Sequence, residues 1–137
     1  MLFRSLDWLH ITTSFESVTG KQPNGKNLPL IPANKLNTIL RFDLKSTKWF
    51  QDGFASVNAE HTLNQKNNSA FETTSNDYTL INLGLGGKVV LGKSSFNLNL
   101  NANNLLDRNY ISHLSRLKND GIPNIGRNIV LGVNFLL

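Results

Sequence analysis

Between Phe96 and Asn103 the chain alternates without a break: Phe96, Leu98, Leu100 and Ala102 are apolar, and Asn97, Asn99, Asn101 and Asn103 fill the other positions. A helix would scatter these residues around its circumference. A strand puts the apolar set on one face and the amides on the other. Asparagine is a poor intrinsic strand former, so such a strand must be favoured by a sheet with one apolar and one wet face.

The same period recurs along the chain. Ile129, Leu131, Val133, Phe135 and Leu137 oppose Asn128, Val130, Gly132, Asn134 and Leu136. Thr79, Ile81, Leu83, Leu85, Val89 and Leu91 alternate with Tyr78, Leu80, Asn82, Gly84, Gly86 and Val90. Leu9, Ile11, Thr13 and Phe15 form another apolar set, as do Leu40, Phe42 and Leu44. Ala55, Val57 and Ala59 form a weaker one, interrupted by His61. The pattern predicts six strands, at 6–19, 36–46, 49–64, 77–91, 95–106 and 127–137. The connections alternate in length. Long polar loops run from Gly20 to Lys35, Gln65 to Asn76 and Asp107 to Gly126, and short turns lie at Ser46–Lys48 and Gly92–Ser94. This predicts an all-β, antiparallel up-and-down meander with long loops on one rim and short turns on the other, an asymmetry typical of outer-membrane barrels.

Composition removes several classes. With no cysteine there is no disulfide framework, thiolate metal site or cysteine nucleophile. No stretch approaches the roughly 18 apolar residues of a membrane helix, but membrane strands need only about 9–11 residues, half of them polar. Charged residues are 17% of the chain, against about 25% in an average globular protein. The polar faces carry amides, hydroxyls and glycines rather than the Lys/Glu mixture of a solvated surface, which leans toward an apolar outside and a wet lumen. Trp8, Trp49, Phe50, Tyr78, Phe96 and Tyr110 fall near strand ends, where interfacial girdles and ordinary core aromatics both belong. Six strands fall short of the roughly eight in the smallest outer-membrane barrels, and no helix is predicted to cap an open sheet. The expectation is a segment of a larger barrel with raw edges at its first and last strands. A starting Met inside a strand-like pattern fits such a segment.

The net charge of +5 comes largely from the long loops: Lys21 and Lys26 in the first, Arg108, Arg116, Lys118 and Arg127 in or beside the last. These suit lipopolysaccharide phosphates, an anionic ferric complex or plain solvation. Basic residues do not share a strand face with stacking aromatics, so nucleic-acid binding fits poorly. His10, His61 and His113 lack metal-ligand spacing. Ser112 and Ser115 flank His113 without a nucleophile elbow. Gly84-Leu85-Gly86-Gly87 precedes no helix, so it predicts a strand bend rather than a phosphate cradle. Asp107 and Arg108 are placed for a local ion pair.

The run from Phe96 to Tyr110 resembles the penultimate strand of TonB-dependent outer-membrane receptors. The matching residues are Asn104, Leu105, Leu106, Asp107 and Tyr110, followed by Gly126-Arg127 before the last strand. Leu28-Pro29-Leu30-Ile31-Pro32, then Lys35-Leu36, is similar to a segment that precedes a strand in that family. The resemblance covers nearly the whole chain, residues 1–137, as a C-terminal barrel segment. It departs from the family in two ways. Receptors usually end in an aromatic, where this chain has Leu137 with Phe135 two residues earlier on the same face. The plug domain, the TonB box and most of the barrel are also missing.

The resemblance implies an integral protein of the Gram-negative outer membrane that imports a scarce nutrient such as a ferric siderophore or haem. It implies no enzymatic activity and no cofactor. Val133, Phe135 and Leu137 would be read by the barrel-assembly machinery, and the TonB complex would act only through the missing plug. Lys21, Lys26, His113, Arg116 and Lys118 are the loop candidates for ligand contact. Two other readings stay open: a soluble β-sandwich or lipocalin-like binding module, and a small independent outer-membrane barrel.

Overall fold

The computed structural model describes residues 6–136. They form one six-stranded antiparallel sheet in sequential order, with β1 Leu9–Glu16, β2 Lys35–Asp43, β3 Phe50–Thr62, β4 Tyr78–Leu91, β5 Ser94–Asn103 and β6 Asn128–Leu136. Each strand pairs only with its chain neighbours, and β1 and β6 do not meet, so the sheet is open. Among the described residues there is no helix. The predicted strands all form, though β1 is shorter than 6–19 and β5 stops at Asn103 rather than 106. β5 ends there because Asn104 turns into the left-handed region at φ 48°. Of the predicted assembly-signal residues, Val133 and Phe135 lie in β6, and Leu137 falls outside the described residues.

The register sorts the side chains into two faces, because directly paired residues share a face. Leu9↔Phe42, Leu40↔Val57, Val57↔Leu83, Leu83↔Ala102 and Ala102↔Ile129 carry one apolar face across all six strands. Near the short turns the same face ends in Val89, Phe96 and Phe135. His10↔Arg41, Arg41↔Ser56, Ser56↔Gly84, Gly84↔Asn101 and Asn101↔Val130 trace the opposite, amide-rich face. Every Lys, Arg, Asp and Glu that takes part in these strand pairings lies on the amide face: Glu16, Lys35, Arg41, Asp43, Glu60 and Lys88. The apolar face carries one titratable side chain, His61, which is hydrogen-bonded to Thr79 at 2.9 Å near the long-loop rim.

Among the described residues nothing is packed on the apolar face. Leu131 is 67% and Phe135 75% exposed, and Phe15, Leu36, Leu85, Leu100 and Ile129 are exposed beside them. Among the described residues the buried apolar ones number four, Ala33, Tyr78, Leu80 and Ala102, and no large side chain is fully buried. The chain exposes 10130 Å², where a compact monomer of this mass exposes about 7,100 Å². Leaving such a face in water forgoes on the order of 10 kcal/mol, as much as the whole stability of a typical domain.

Gly86 and Gly87 of β4 make room for rings. On the amide face, a Cβ on Gly86 would meet the Phe54 ring at 2.5 Å and Asn99 Oδ1 at 2.8 Å. On the apolar face, a Cβ on Gly87 would meet the Phe50 ring at 2.4 Å. The ladder slips between Gln51 and Phe54, and this bulge presents the two phenylalanines to opposite faces.

Candidate functional site

The meander brings the three long loops, 17–34, 63–77 and 104–127, to one rim. The first loop folds on itself as a small hairpin. Lys21 pairs with Asn27, Gln22 N donates to Lys26 O at 2.8 Å, and Leu28 N donates to Gly20 O at 3.0 Å. The hairpin holds Lys21 and Lys26 exposed. It leans on the second loop through Gln65, whose buried amide donates to Ile31 O and Pro32 O, both at 3.1 Å.

The third loop starts with a clasp. The buried Asn104 side chain donates to Arg108 O at 2.9 Å and accepts from Arg108 N at 2.8 Å. The loop closes where Asp107 Oδ1 accepts from Arg127 N at 2.8 Å. Asp107 and Arg108 do not form the ion pair expected from their adjacency. The aspartate is spent on the backbone that starts β6, and the Arg108 backbone is tied to Asn104. The residues Asn104, Asp107, Gly126 and Arg127 therefore close a loop, and Leu105 N donates to Ile81 O at 2.8 Å to anchor it on β4.

From that anchor the loop turns toward the amide face. Tyr110 packs on Tyr78 with ring centroids 4.5 Å apart, and Tyr78 belongs to the amide face through its pairing with Thr62. Tyr110 and Ile125 border one hollow on that face with Leu80, Asn82, Asn103 and Asn128. Burial in this stack pushes the Tyr110 phenol above its ordinary 10.0. Tyr78 is buried in this stack on the amide face, and Tyr110 is half-buried against it. Trp8, Trp49, Phe50 and Phe96 do gather at the short-turn end, with Trp8 stacked on Phe42 at 6.3 Å and Phe96 against Phe135 at 5.9 Å.

At the centre of the rim, all three loops meet on one carboxylate and one imidazole. Glu72 Oε1 accepts from Leu30 N at 2.7 Å and Glu72 Oε2 from Ser69 N at 2.9 Å. These two backbone donors hold the carboxyl below its ordinary 4.5. Leu30 sits at φ 60°, an unfavourable conformation for a bulky residue, and the Glu72 bond pins it there. His113, only 8% exposed, lies between the second and third loops. Its Nδ1 is 2.8 Å from Ser75 Oγ and 3.2 Å from Lys118 Nζ, and its Nε2 is 3.9 Å from Glu72 Oε1. Lys118 also donates to Thr73 O. Burial, then the Lys118 charge, holds His113 below its ordinary 6.5. Burial likewise lowers Lys118.

Ser75, His113 and Glu72 stand in the order of a hydrolase triad, yet the geometry opposes that chemistry. The Lys118 ammonium competes for the one lone pair that would take the serine proton, Glu72 is beyond hydrogen-bond reach of Nε2, and the hydroxyl is buried. Among the described residues no three His, Asp or Glu side chains gather as metal ligands.

Of the loop residues expected to meet a ligand, His113, Arg116 and Lys118 border one hollow of about 220 Å³ with Leu30 and Phe71. Lys118 also lines a larger cleft of about 450 Å³ with Thr73, Asp77, Arg108 and Tyr110. Lys21 borders a separate cleft of about 290 Å³ beside Asn64 and Gln65, and Lys26 lies exposed on its hairpin. Glu72 and Ser75 were not anticipated. The one available signal was that Glu72 is the single acid between Leu63 and Asn76. No protein family matches the chain, and no curated protein matches it.

Proposed function

We propose that this chain is the C-terminal six-stranded part of the β-barrel of a TonB-dependent outer-membrane receptor, which takes up a scarce nutrient such as a ferric siderophore or haem. One observation carries the reading: an uncovered apolar face runs across six strands while the third loop packs Tyr110 against the opposite, amide-rich face. A water-soluble protein covers its apolar face first. A membrane barrel leaves that face to lipid and keeps its polar face for the lumen. The location of the paired charges on the amide face supports the same orientation, because a charge facing lipid at mid-depth costs about 2–4 kcal/mol.

In this reading outer-membrane lipid covers the apolar face, and the barrel-assembly machinery inserts the β6 edge. The open edges of β1 and β6 pair with the receptor's remaining strands. The TonB complex acts through a plug carried elsewhere in the receptor. The long-loop rim faces outside and the short turns face the periplasm. The clasp formed by Asn104, Asp107, Gly126 and Arg127 gives the family-like motif a physical purpose, holding the last long loop at the mouth of the lumen.

The test places spin labels at Leu98 and Leu131 on the apolar face and at Asn99 and Asn134 on the amide face, with the chain reconstituted in liposomes. The first pair is expected to be relaxed by dissolved oxygen and the second by a water-soluble nickel chelate. Equal access of the chelate to both pairs, or a cooperatively folded monomer in detergent-free buffer, overturns the proposal.

A further inference from the structure

We infer that Glu72, Ser75, His113 and Lys118 form an acid-sensitive latch that ties the three long loops together, and that uptake of a proton by His113 releases the Lys118 tie between the second and third of them. The inference concerns the loops alone and does not depend on what covers the apolar face.

The latch is physically continuous. Glu72 of the second loop holds the first loop through Leu30 N at 2.7 Å. Ser75 of the second loop holds the third through His113 Nδ1 at 2.8 Å. Lys118 of the third loop reaches back to Thr73 O of the second. The charged groups facing the imidazole come from two loops: Lys118 lies on the Nδ1 side at 3.2 Å and Glu72 on the Nε2 side at 3.9 Å. Arg116 borders the same hollow but is exposed. The first loop contributes the Leu30 backbone and no charge.

The donor set fixes the tautomer. An ammonium only donates, so a nitrogen 3.2 Å from Lys118 Nζ must be an acceptor. Nδ1 is therefore bare, and the ring proton of neutral His113 is on Nε2, toward Glu72. Protonation adds a hydrogen at Nδ1, where no acceptor other than Ser75 Oγ is in reach and where Lys118 already brings positive charge. The new N–H removes the acceptor used by Lys118 and sets two cations against each other at a site only 8% exposed. Glu72 offers partial compensation on the far side of the ring, but at 3.9 Å it makes no direct hydrogen bond. Burial, and then Lys118, outweigh Glu72, in agreement with the lowered affinity of His113 for a proton. Release of Lys118 frees one wall of the 450 Å³ cleft that it shares with Tyr110 and Arg108, so the opening of that cleft becomes pH-dependent.

The experiment uses the full chain in detergent micelles. The sequence has no cysteine, so Ala70→Cys and Ile122→Cys can carry a single pair of spin labels, one on the second loop and one on the third. The inter-label distance distribution is measured by pulsed electron resonance from about pH 8 to about pH 5. It is expected to be narrow at the upper end and to broaden on acidification, with a midpoint below 6.5. His113→Gln, which keeps a hydrogen-bonding side chain that does not titrate, is expected to abolish the response. Lys118→Met, which keeps the histidine and removes the opposing charge, is expected to move the midpoint upward. A width that ignores pH in the unmodified loops, a response that survives His113→Gln, or a midpoint that Lys118→Met leaves in place each overturns the latch.

Discussion

Asp107 and Gly126 fit together as a hook and its seat: Asp107 Oδ1 accepts from Arg127 N at 2.8 Å and lies 2.7 Å from where a Cβ on residue 126 would stand. The glycine is required by the close approach of the carboxylate, since any side chain would push the hook off its donor. Gly126→Ala and Asp107→Ala should therefore damage the same feature. Each is expected to cost about 1–2 kcal/mol, the lower part of the range for a hydrogen bond to a charged group. The two together should cost little more than either alone, because coupled partners are not additive. Denaturant unfolding followed by the fluorescence of Trp8 and Trp49 measures this.

Phe54 and Gly86 make a second such pair, this time on the amide face, where the ring lies 2.5 Å from the place of a Cβ on residue 86. The Arg41 guanidinium covers the ring, its carbon 4.1 Å from the centroid. Gly86→Ala should displace ring and cation together at a cost of about 1–3 kcal/mol. Phe54→Ala in the same chain should recover much of that loss by giving the new methyl room. An unfolding comparison of the two single variants with the double variant tests the pairing.

These two relationships mark the boundary of what the residues reveal in one dimension. The strands and faces were legible because a period of two survives any tertiary context: Leu98, Leu100 and Ala102 had to share a side, and the register puts Val133, Leu131 and Ile129 directly beside them. The ends of strands were less legible, because Asn104 stops β5 through its left-handed backbone and side-chain clasp, and neither breaks the apolar pattern. The room that Gly86 and Gly87 leave for rings was not legible, because their neighbours across the sheet, Phe50 and Phe54, are set by a bulge that leaves no trace in the alternation. Tyr78 and Tyr110 stand at element ends like girdle residues, yet their partner is each other. In the rim, His113 stood out by residue type, but Glu72 and Ser75 sit in a stretch of amides and hydroxyls that gives no reason to choose them.

The rim also predicts how stability depends on pH. His113 binds its proton less readily in the folded chain than its ordinary 6.5. As pH falls below that value, the unfolded chain takes up the proton first, so stability is lost progressively between 6.5 and the lower folded value. Glu72 acts in the same direction further down. Its carboxyl is held below 4.5 by the Ser69 and Leu30 amides, so its contribution is complete above that value and is lost on further acidification. His113→Gln should remove the upper loss and leave the lower one. Denaturation midpoints taken across this range in the parent chain and the variant separate the two.

Val130 and Leu131 are neighbours in β6, but the register gives Val130 to the amide face opposite Asn101 and Leu131 to the apolar face opposite Leu100. An arginine at each position puts the same charge at nearly the same height on opposite sides of one strand. If lipid covers the apolar face, Leu131→Arg carries the cost of a cation near mid-bilayer, about 2–4 kcal/mol. Val130→Arg, facing water in the lumen, should stay within about 1 kcal/mol of the parent. The introduced residue, the net charge and the strand are the same in the two variants, so the difference isolates the face. Folding into liposomes, followed by urea titration, should give a gap of at least about 1 kcal/mol in favour of Val130→Arg. Equal stabilities would mean that neither face meets lipid. The reverse order would mean that the amide face is the covered one, and the orientation proposed for the sheet would have to be inverted.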